Sequence, residues 1–292
     1  MSSGEFKPED FLFFGALHYM KILQKEILSD VQGVKVVKIK VHAPEIAAKA
    51  LPGQFVVLMV NDKGERIPLT VVDKGAQDIT LIFQEAGYTT RLLSGLIAGD
   101  SLYALVGPLG HATHTGNLGQ VIIVGGGVGL AEILPVARAL KAAGSRVTTI
   151  VGARSKELLI LEKELKEASD EFYVTTDDGS YQRKGFTTDV LAELLKKAKY
   201  ELVYAVGPIP MMKRVADVTK PGGTKTIVSL NALMVDATGM CGCCRVDVAG
   251  QTKFSCVDGP EFDAHEVDWQ GLTNRNKIYA DKEKHICQLL KG

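Results

Sequence analysis

The 292-residue sequence has no net charge, its 34 Lys and Arg being matched by 34 Asp and Glu. A protein built to hold nucleic acid concentrates positive charge, so this balance argues against that class. No apolar run approaches the roughly 18 residues needed to cross a bilayer. The aromatic patch Phe11-Leu12-Phe13-Phe14 follows acidic residues rather than the basic start of a secretory leader. A reducing cytoplasm is the expected setting, which disfavours disulfides, and five cysteines would leave one unpaired in any case. Internal repeats and low-complexity tracts are absent as well.

What remains is an ordinary chain, 46% hydrophobic, with room for two domains and a small appendage. Its densest chemistry is Asp236-Ala-Thr-Gly-Met-Cys241-Gly-Cys243-Cys244, followed by Cys256. Iron-sulfur clusters of the [2Fe-2S] type favour a tight loop with three ligands and a fourth from a more distant strand. With Asp236 as first ligand, followed by Cys241, Cys244 and Cys256, the spacing has that form. An aspartate oxygen is harder than thiolate and would alter the potential without abolishing binding. Gly239 and Gly242 let the backbone turn closely and bring N–H groups toward the sulfides. Cys243 is the rival fourth ligand, but adjacent side chains diverge, so Asp236 is preferred. A zinc site from Cys241, Cys244, Cys256 and His265 is a second reading. Cys287, in a terminal helix-like segment, reads as a packing residue.

Residues 1–19 read as an N-terminal extension. From 20 to 117, short strands at Val34–Val41, Gln54–Val60, Ile79–Gln84 and Ser101–Val106 suggest a closed antiparallel β-barrel. From 118 to 225 the rhythm becomes strand, glycine turn, helix. Strands at Val121–Val124, Arg146–Val151, Glu171–Thr175 and Leu202–Val206 alternate with helices at Ala131–Ala143, Leu158–Ala168 and Thr188–Lys197, an α/β pattern of a doubly wound parallel sheet. Residues 226–292 hold the cysteine loop, with strands expected at Cys244–Val248 and Thr252–Cys256.

Gly125-Gly126-Gly127-Val128-Gly129 after the first strand would let a pyrophosphate approach a helix N-terminus, although Leu130 occupies the third glycine position of the GxGxxG pattern. Gly207-Pro208-Ile209-Pro210-Met211 repeats the arrangement after a later strand. Two such turns at the carboxyl ends of parallel strands define one crevice. In the first zone, Arg66-Ile67-Pro68-Leu69-Thr70 offers a cation, a rigid turn and a hydroxyl suited to a phosphate and a flavin edge, or simply a solvated edge strand. Gly87-Tyr88-Thr89-Thr90 and Gly107-Pro108-Leu109-Gly110 are ordinary turns taken singly.

The order of these motifs resembles the ferredoxin-NADP reductase superfamily over nearly the whole chain from Met20. The C-terminal lobe resembles the electron-transfer subunits of dihydroorotate dehydrogenase, which usually supply four cysteines. With Asp236 and its flanks, the loop is more similar to the small-subunit family of NADH-dependent reduced ferredoxin:NADP oxidoreductase. The resemblance implies FAD on the barrel, with Arg66, Pro68, Leu69 and Thr70 at the isoalloxazine and Thr90, beside Gly87, near the pyrophosphate. Thr70 would tune flavin N5 by hydrogen bonding. Gly107 and Gly110 form the next motif in that order. It implies NAD(H) over Gly125, Gly127 and Gly129, with Gly207, Pro208 and Met211 near the nicotinamide. NADP(H) stays open, because the second strand of this domain ends without the acidic residue that holds a ribose hydroxyl and Arg154 could meet a 2′-phosphate. The implied partner is a larger flavin and iron-sulfur subunit related to the small subunit of glutamate synthase, with ferredoxin reached through the complex. Electron bifurcation is the expected activity. An NADH diaphorase subunit of a hydrogenase or dihydroorotate dehydrogenase complex is the alternative within the redox class, and a zinc-stabilised nucleotide-binding module the alternative outside it. Two departures stand out: Glu132 where many relatives carry Pro, and the aromatic N-terminal extension.

Overall fold

The computed structural model describes residues 20–31, 33–279 and 282, so the patch at 11–14 and Cys287 lie outside the described residues. The first zone runs β1 (Ile22–Val31), β2 (Val34–His42), α1 (Pro44–Lys49), β3 (Phe55–Met59), β4 (Ile67–Thr70), β5 (Asp73–Lys74), β6 (Asp78–Gln84), α2 (Tyr88–Gly95) and β7 (Ala104–Leu109). Alternate residues Val37, Ile39 and Val41 of β2 are wholly buried, as the two-residue period of a strand requires. They pack with Leu58, Ile79, Leu81, Leu93 and Leu102 in one core.

The strands hydrogen-bond as two antiparallel sheets, ordered β1-β2-β6-β5 and β4-β3-β7. Two corners join them into the expected barrel. Lys21 pairs with Ser101 just before β7, and the Ile22 N–H donates to the Asp100 carbonyl at 2.8 Å. At the other corner the chain bends from β4 directly into β5, the Val71 N–H bonding Gln54 and the Val72 N–H bonding Thr80. The use of Ser101 in a corner displaces β7 toward the C-terminus of the strand expected from the sequence. Strand β1 had no counterpart in that reading; its sequence is largely polar and exposed, as suits an edge. Its far end reaches the next domain, where the Ser29 hydroxyl donates to the Glu157 carbonyl at 3.0 Å.

The second zone continues β8 (Gln120–Gly126), α3 (Gly129–Ala142), β9 (Arg146–Ala153), α4 (Glu162–Glu167), β10 (Glu171–Thr176), β11 (Arg183–Lys184), α5 (Thr187–Lys197), β12 (Leu202–Val206), α6 (Ile209–Thr219) and β13 (Thr226–Ser229). After the cysteine loop come β14 (Arg245–Val248), β15 (Gln251–Phe254), β16 (Glu261–Asp263) and α7 (Trp269–Asn276). Strands β8 and β12 are apolar and buried on both faces because helices cover each side of the sheet. The order β11-β10-β9-β8-β12-β13-β16 is parallel throughout except for β16. Both β13 and β16 fall within 226–292, the segment expected to form the cluster lobe, yet both are hydrogen-bonded into this sheet.

The helix expected at Leu158–Ala168 is shorter. Leu158 and Ile160 are both buried, and residues two apart share a side only in extended chain. Leu161 then takes a left-handed φ of 56° before α4 begins.

Candidate functional site: a nucleotide cleft, a barrel edge and a thiol loop

The sheet order reverses between β8 and β12, whose residues Gly125 and Val206 are register partners. This is the switch point at which open α/β sheets bind ligands, and both glycine turns lie there. Gly127 has φ of 59° with nothing within 4 Å of a β-carbon placed on it, so its backbone faces open space. Gly129 is the opposite case: a β-carbon would lie 2.6 Å from the Val206 carbonyl oxygen, so only glycine lets α3 start this close to β12. Gly125 is held by packing against Leu130 and Ile133, and Gly207 by Met211 and Gly126.

These turns open onto a cleft of about 760 Å³ lined by Gly127, Arg154, Asp177, Pro208 and Met211, with Val34, Val36 and Gln84 contributed by the barrel. Arg154 and Asp177 end the neighbouring strands β9 and β10, and the Asp177 N–H bonds the Ala153 carbonyl at 3.1 Å. Desolvation raises the Asp177 carboxyl above its usual value, adjacent Asp178 raises it further, and Arg154 opposes both. The end of β9 lacks an acidic residue, and one stands instead at the end of the neighbouring β10, where no motif marked it.

On the barrel, Pro68, Leu69 and Thr70 are half-buried on β4, and Arg66 is exposed just before it. No hydrogen bond or ion pair of the Arg66 guanidinium is found among the described residues, which leaves it suited to a phosphate. Helix α2 follows, with Gly87 at its N-cap. The Thr90 hydroxyl accepts from the N–H groups of Ala86 and Gly87 at 2.9 Å each and donates to the Gly87 carbonyl at 3.0 Å. Thr90 thus builds the turn itself. The Thr89 hydroxyl donates to Glu65 at 2.9 Å, tying this turn to the segment bearing Arg66. Gly107 and Gly110 have packing reasons: β-carbons there would strike the Val56 and Phe55 side chains at 2.7 and 2.8 Å. Thr70 lies beside Glu132, in the first turn of α3, a neighbour the sequence did not suggest.

The cysteine loop carries its four expected donors in one segment, although among the described residues no three of them stand close enough to hold a metal ion as they are. The Asp236 carboxylate accepts from the Thr238 N–H at 2.9 Å, and that bond foremost, with Cys241 a lesser contributor, holds it below its usual pKa. The buried Cys244 thiol donates to the Cys256 sulfur at 3.2 Å. Burial and that bond push the Cys256 thiol up to about 12, while the Gly239 N–H lowers it. Positive φ at Gly239 (82°) and Gly242 (65°) folds the loop around these groups. Three thiols and one carboxylate are a donor set that suits a small iron-sulfur cluster. The Cys243 carbonyl accepts from the Arg275 guanidinium at 2.8 Å, and burial raises its thiol, as do neighbouring Cys241 and Cys244. Helix α7 clamps the loop through that bond and through Asn276 to the Asn231 carbonyl at 2.8 Å. His265, a ligand in the zinc reading, has its Nε2 on the Thr219 hydroxyl at 2.8 Å and its Nδ1 toward Asp263, which disfavours that role.

A buried polar node joins the parts. Glu261, on β16, accepts from the Tyr204 hydroxyl of β12 at 2.7 Å and from the Thr113 hydroxyl, which follows the barrel. No motif marked these three residues.

A flavin-reductase-type barrel, a switch-point cleft and a thiol loop together define an oxidoreductase of the ferredoxin-NADP reductase type, an electron-transfer subunit. Family models agree: residues 123–217 match the oxidoreductase NAD-binding domain and 231–268 the iron-sulfur cluster binding domain of dihydroorotate dehydrogenase B. The chain belongs to the family of dihydroorotate dehydrogenase B electron transfer subunits. It is 48% identical over 246 residues to a homolog of that subunit from Thermotoga maritima, covering 84% of this chain and 87% of the relative. It is 35% identical to the Geobacillus subunit, covering 74% and 86%. Among solved structures, a chain of the NADH-dependent reduced ferredoxin-NADP oxidoreductase, described for flavin-based electron bifurcation, superposes with a TM-score of 0.88 at 43% identity, covering 95% of this chain and 100% of that one. Ferredoxin-NADP+ reductase from Plasmodium falciparum, at 15% identity, TM-score 0.56 and coverage of 69% and 89%, shares the fold. Among the described residues, no helix is long and apolar enough to cross a membrane.

Proposed function

We propose that this chain exchanges hydride with NAD(H) at a barrel-bound FAD and passes single electrons through a [2Fe-2S] cluster, as the small subunit of an electron-bifurcating ferredoxin:NADP oxidoreductase. The observation that carries the reading is the sequence of the loop, in which Asp236 stands where a fourth cysteine would otherwise be expected ahead of Cys241, Cys244 and Cys256. The close superposition on the bifurcating enzyme's chain supports it. The working division is barrel 20–117, nucleotide domain 118–225 and cluster lobe 226–292, with 1–19 as an extension.

FAD, when bound, takes hydride as a two-electron unit and releases electrons singly, and a [2Fe-2S] cluster carries one at a time. Residues of the chain do the rest. Arg66 would neutralise phosphate, Pro68 and Leu69 would wall the ring and Thr70 would present its hydroxyl to the ring edge, with the Gly87–Thr90 turn beside the diphosphate. Gly127 leaves its backbone open to the nucleotide diphosphate, and Gly129 sets the α3 N-terminus against it. Pro208 and Met211 shape the nicotinamide end. Asp236, Cys241, Cys244 and Cys256 would hold the cluster. Asp177 beside Arg154 favours NAD(H) over NADP(H), because a carboxylate accepts ribose hydroxyls and repels a 2′-phosphate.

A larger flavin and iron-sulfur subunit is the partner this reading requires, with ferredoxin reached through it. The second reading, electron transfer to a dihydroorotate dehydrogenase, is favoured by the names of the relatives. Co-purification from the native host separates them. Recovery with a glutamate-synthase-like flavoprotein, and NADH-dependent ferredoxin chemistry, supports the first; recovery with a dihydroorotate-oxidising subunit supports the second. A purified chain that shows neither flavin nor iron-sulfur absorption sinks both.

A further inference from the structure

Two guanidinium groups reach the backbone of the cysteine loop. Arg245, the first residue of β14, donates from Nη1 to the Gly242 carbonyl at 3.0 Å, and Arg275, in the last turn of α7, donates from Nη2 to the Cys243 carbonyl at 2.8 Å. The two accepting carbonyls are adjacent and lie between Cys241 and Cys244, two of the expected cluster ligands. Arg245 is exposed and local to the turn it bonds, so its contact needs no further explanation. Arg275 is different. It arrives from 32 residues further along the chain, on a helix that begins just after residue 268, where the match to the iron-sulfur family model ends.

That helix is built to hold its place. The Asp268 carboxylate caps it, accepting from the Gln270 and Gly271 N–H groups at 3.1 and 3.0 Å, and the Trp269 indole N–H donates to the Ala264 carbonyl at 3.0 Å. Leu272 is buried in the same core as Cys244, Val246 and Cys256. Carried on this anchored helix, Arg275 is half-buried and makes no ion pair among the described residues, and its Nε is buried with no hydrogen-bond acceptor. A charged donor shielded from water and left unpaired is costly, so the Nε–H marks a place where an acceptor belongs.

We propose that this acceptor is sulfur: Arg275 is the counter-cation of the iron-sulfur cluster, its Nε–H donating to a cluster or cysteinate sulfur while Nη2 holds the Cys243 carbonyl, and it raises the cluster's reduction potential. This rests on the [2Fe-2S] reading above. An iron-sulfur centre gains one negative charge with each electron it accepts, so a fixed cation and an N–H donor beside it stabilise the reduced form more than the oxidised one. Hydrogen bonds to the sulfurs and the burial of the centre are among the levers that set such potentials. Half burial also protects the Arg275 charge from the water and salt that screen exposed Arg245. Arginine suits the place better than lysine, because its planar fork fixes the Nε donor relative to the Nη2 donor that grips the loop.

The test is an anaerobic redox titration of the cluster in the reconstituted full chain, followed by the paramagnetic resonance of its reduced form, in the parent, Arg275→Gln, Arg275→Lys and Arg245→Gln proteins. In Arg275→Gln the ratio of reduced to oxidised cluster at a fixed potential should fall about tenfold, a downward shift of about 59 mV for one electron. Arg275→Lys keeps the charge but has no donor in the Nε position, and should shift in the same direction by less. Arg245→Gln should shift least. A loaded Arg275→Gln protein with the parent's potential overturns the proposal alone. If that variant takes up no cluster, Arg275→Lys decides: a lowered potential supports the proposal, and the parent's potential or a failure to load overturns it. An Arg245→Gln shift as large as that of Arg275→Gln overturns it as well, because burial would then not distinguish the two cations. A role confined to clamping the loop would lower the unfolding midpoint of Arg275→Gln and leave the potential intact. A parent chain that shows no [2Fe-2S] signal overturns the proposal together with the reading beneath it.

Discussion

The Tyr204 hydroxyl donates to Glu261 at 2.7 Å, a bond from a central strand of the nucleotide sheet to the antiparallel strand that the C-terminal segment returns to it. Desolvation raises the Glu261 carboxyl, and the hydrogen bonds from Thr113 and Tyr204 oppose that rise. Removing one donor leaves a buried carboxyl with a single partner. Tyr204→Phe should therefore cost about 1–3 kcal/mol, the usual penalty for orphaning a buried polar group. Urea unfolding should show a lower midpoint at an unchanged slope.

The two glycines beside the cleft should respond differently to alanine. At Gly129 the added methyl meets a backbone carbonyl at 2.6 Å, so α3 must shift and the variant should lose several kcal/mol of stability. At Gly127 nothing stands within 4 Å, so only the left-handed φ is penalised, by roughly 1–2 kcal/mol. The Gly127 methyl would instead project toward the nucleotide. Thermal unfolding and NADH titration, done on both variants, should rank them in opposite orders: Gly129→Ala less stable, Gly127→Ala folded but weaker in nucleotide binding.

Asp177 and Arg154 share the rim of the cleft, and their balance sets which nucleotide is accepted. With Asp177→Asn the repulsion toward a 2′-phosphate is removed while Arg154 remains. NADPH affinity should rise and NADH affinity fall, each by up to about tenfold, equivalent to about 1.4 kcal/mol. Equilibrium titration with both nucleotides checks this, and an unchanged ratio would show that the adenosine ribose lies elsewhere.

At the thiol loop, Asp236→Cys should retain a cluster with a shifted potential and altered paramagnetic resonance, since thiolate is softer than carboxylate. Cys256→Ser should lose most of it, because a thiolate ligand to iron is replaced by a hydroxyl that ionises far less readily. Visible absorption after anaerobic reconstitution distinguishes the two.

Much of this architecture was legible because local rules carried it. The alternation of Val37, Ile39 and Val41, the glycine turns after β8 and β12, and the spacing from Asp236 to Cys256 each have a short-range cause. The residues that escaped act across long separations. Asp177 meets Arg154 from the neighbouring strand, and Glu132 lies beside Thr70 of another domain. Glu261 reaches Tyr204 and Thr113 from the far end of the chain. None follows from periodicity, because tertiary packing alone makes them neighbours. The short α4 was misjudged for a related reason: burial of Leu158 and Ile160 on one side overrode the helical propensity of the segment.

Glu132 also gives the fold a pH dependence of definite sign. In the native chain its carboxyl keeps a proton up to about pH 7, whereas an unfolded glutamate gives it up near 4.5. Between those values the native state binds more protons than the unfolded one, so stability falls as pH rises, and above pH 7 the whole penalty stands. It amounts to about 3 kcal/mol at most, since each pH unit between the two values is worth about 1.4 kcal/mol and the accessible edge of Glu132 trims the total. Glutamine carries no such penalty. Urea unfolding of Glu132→Gln and the parent should coincide below about pH 4.5 and diverge as pH rises, with the variant the more stable above pH 7. A gap that stays constant across the range would mean that Glu132 titrates alike in the native and unfolded chains.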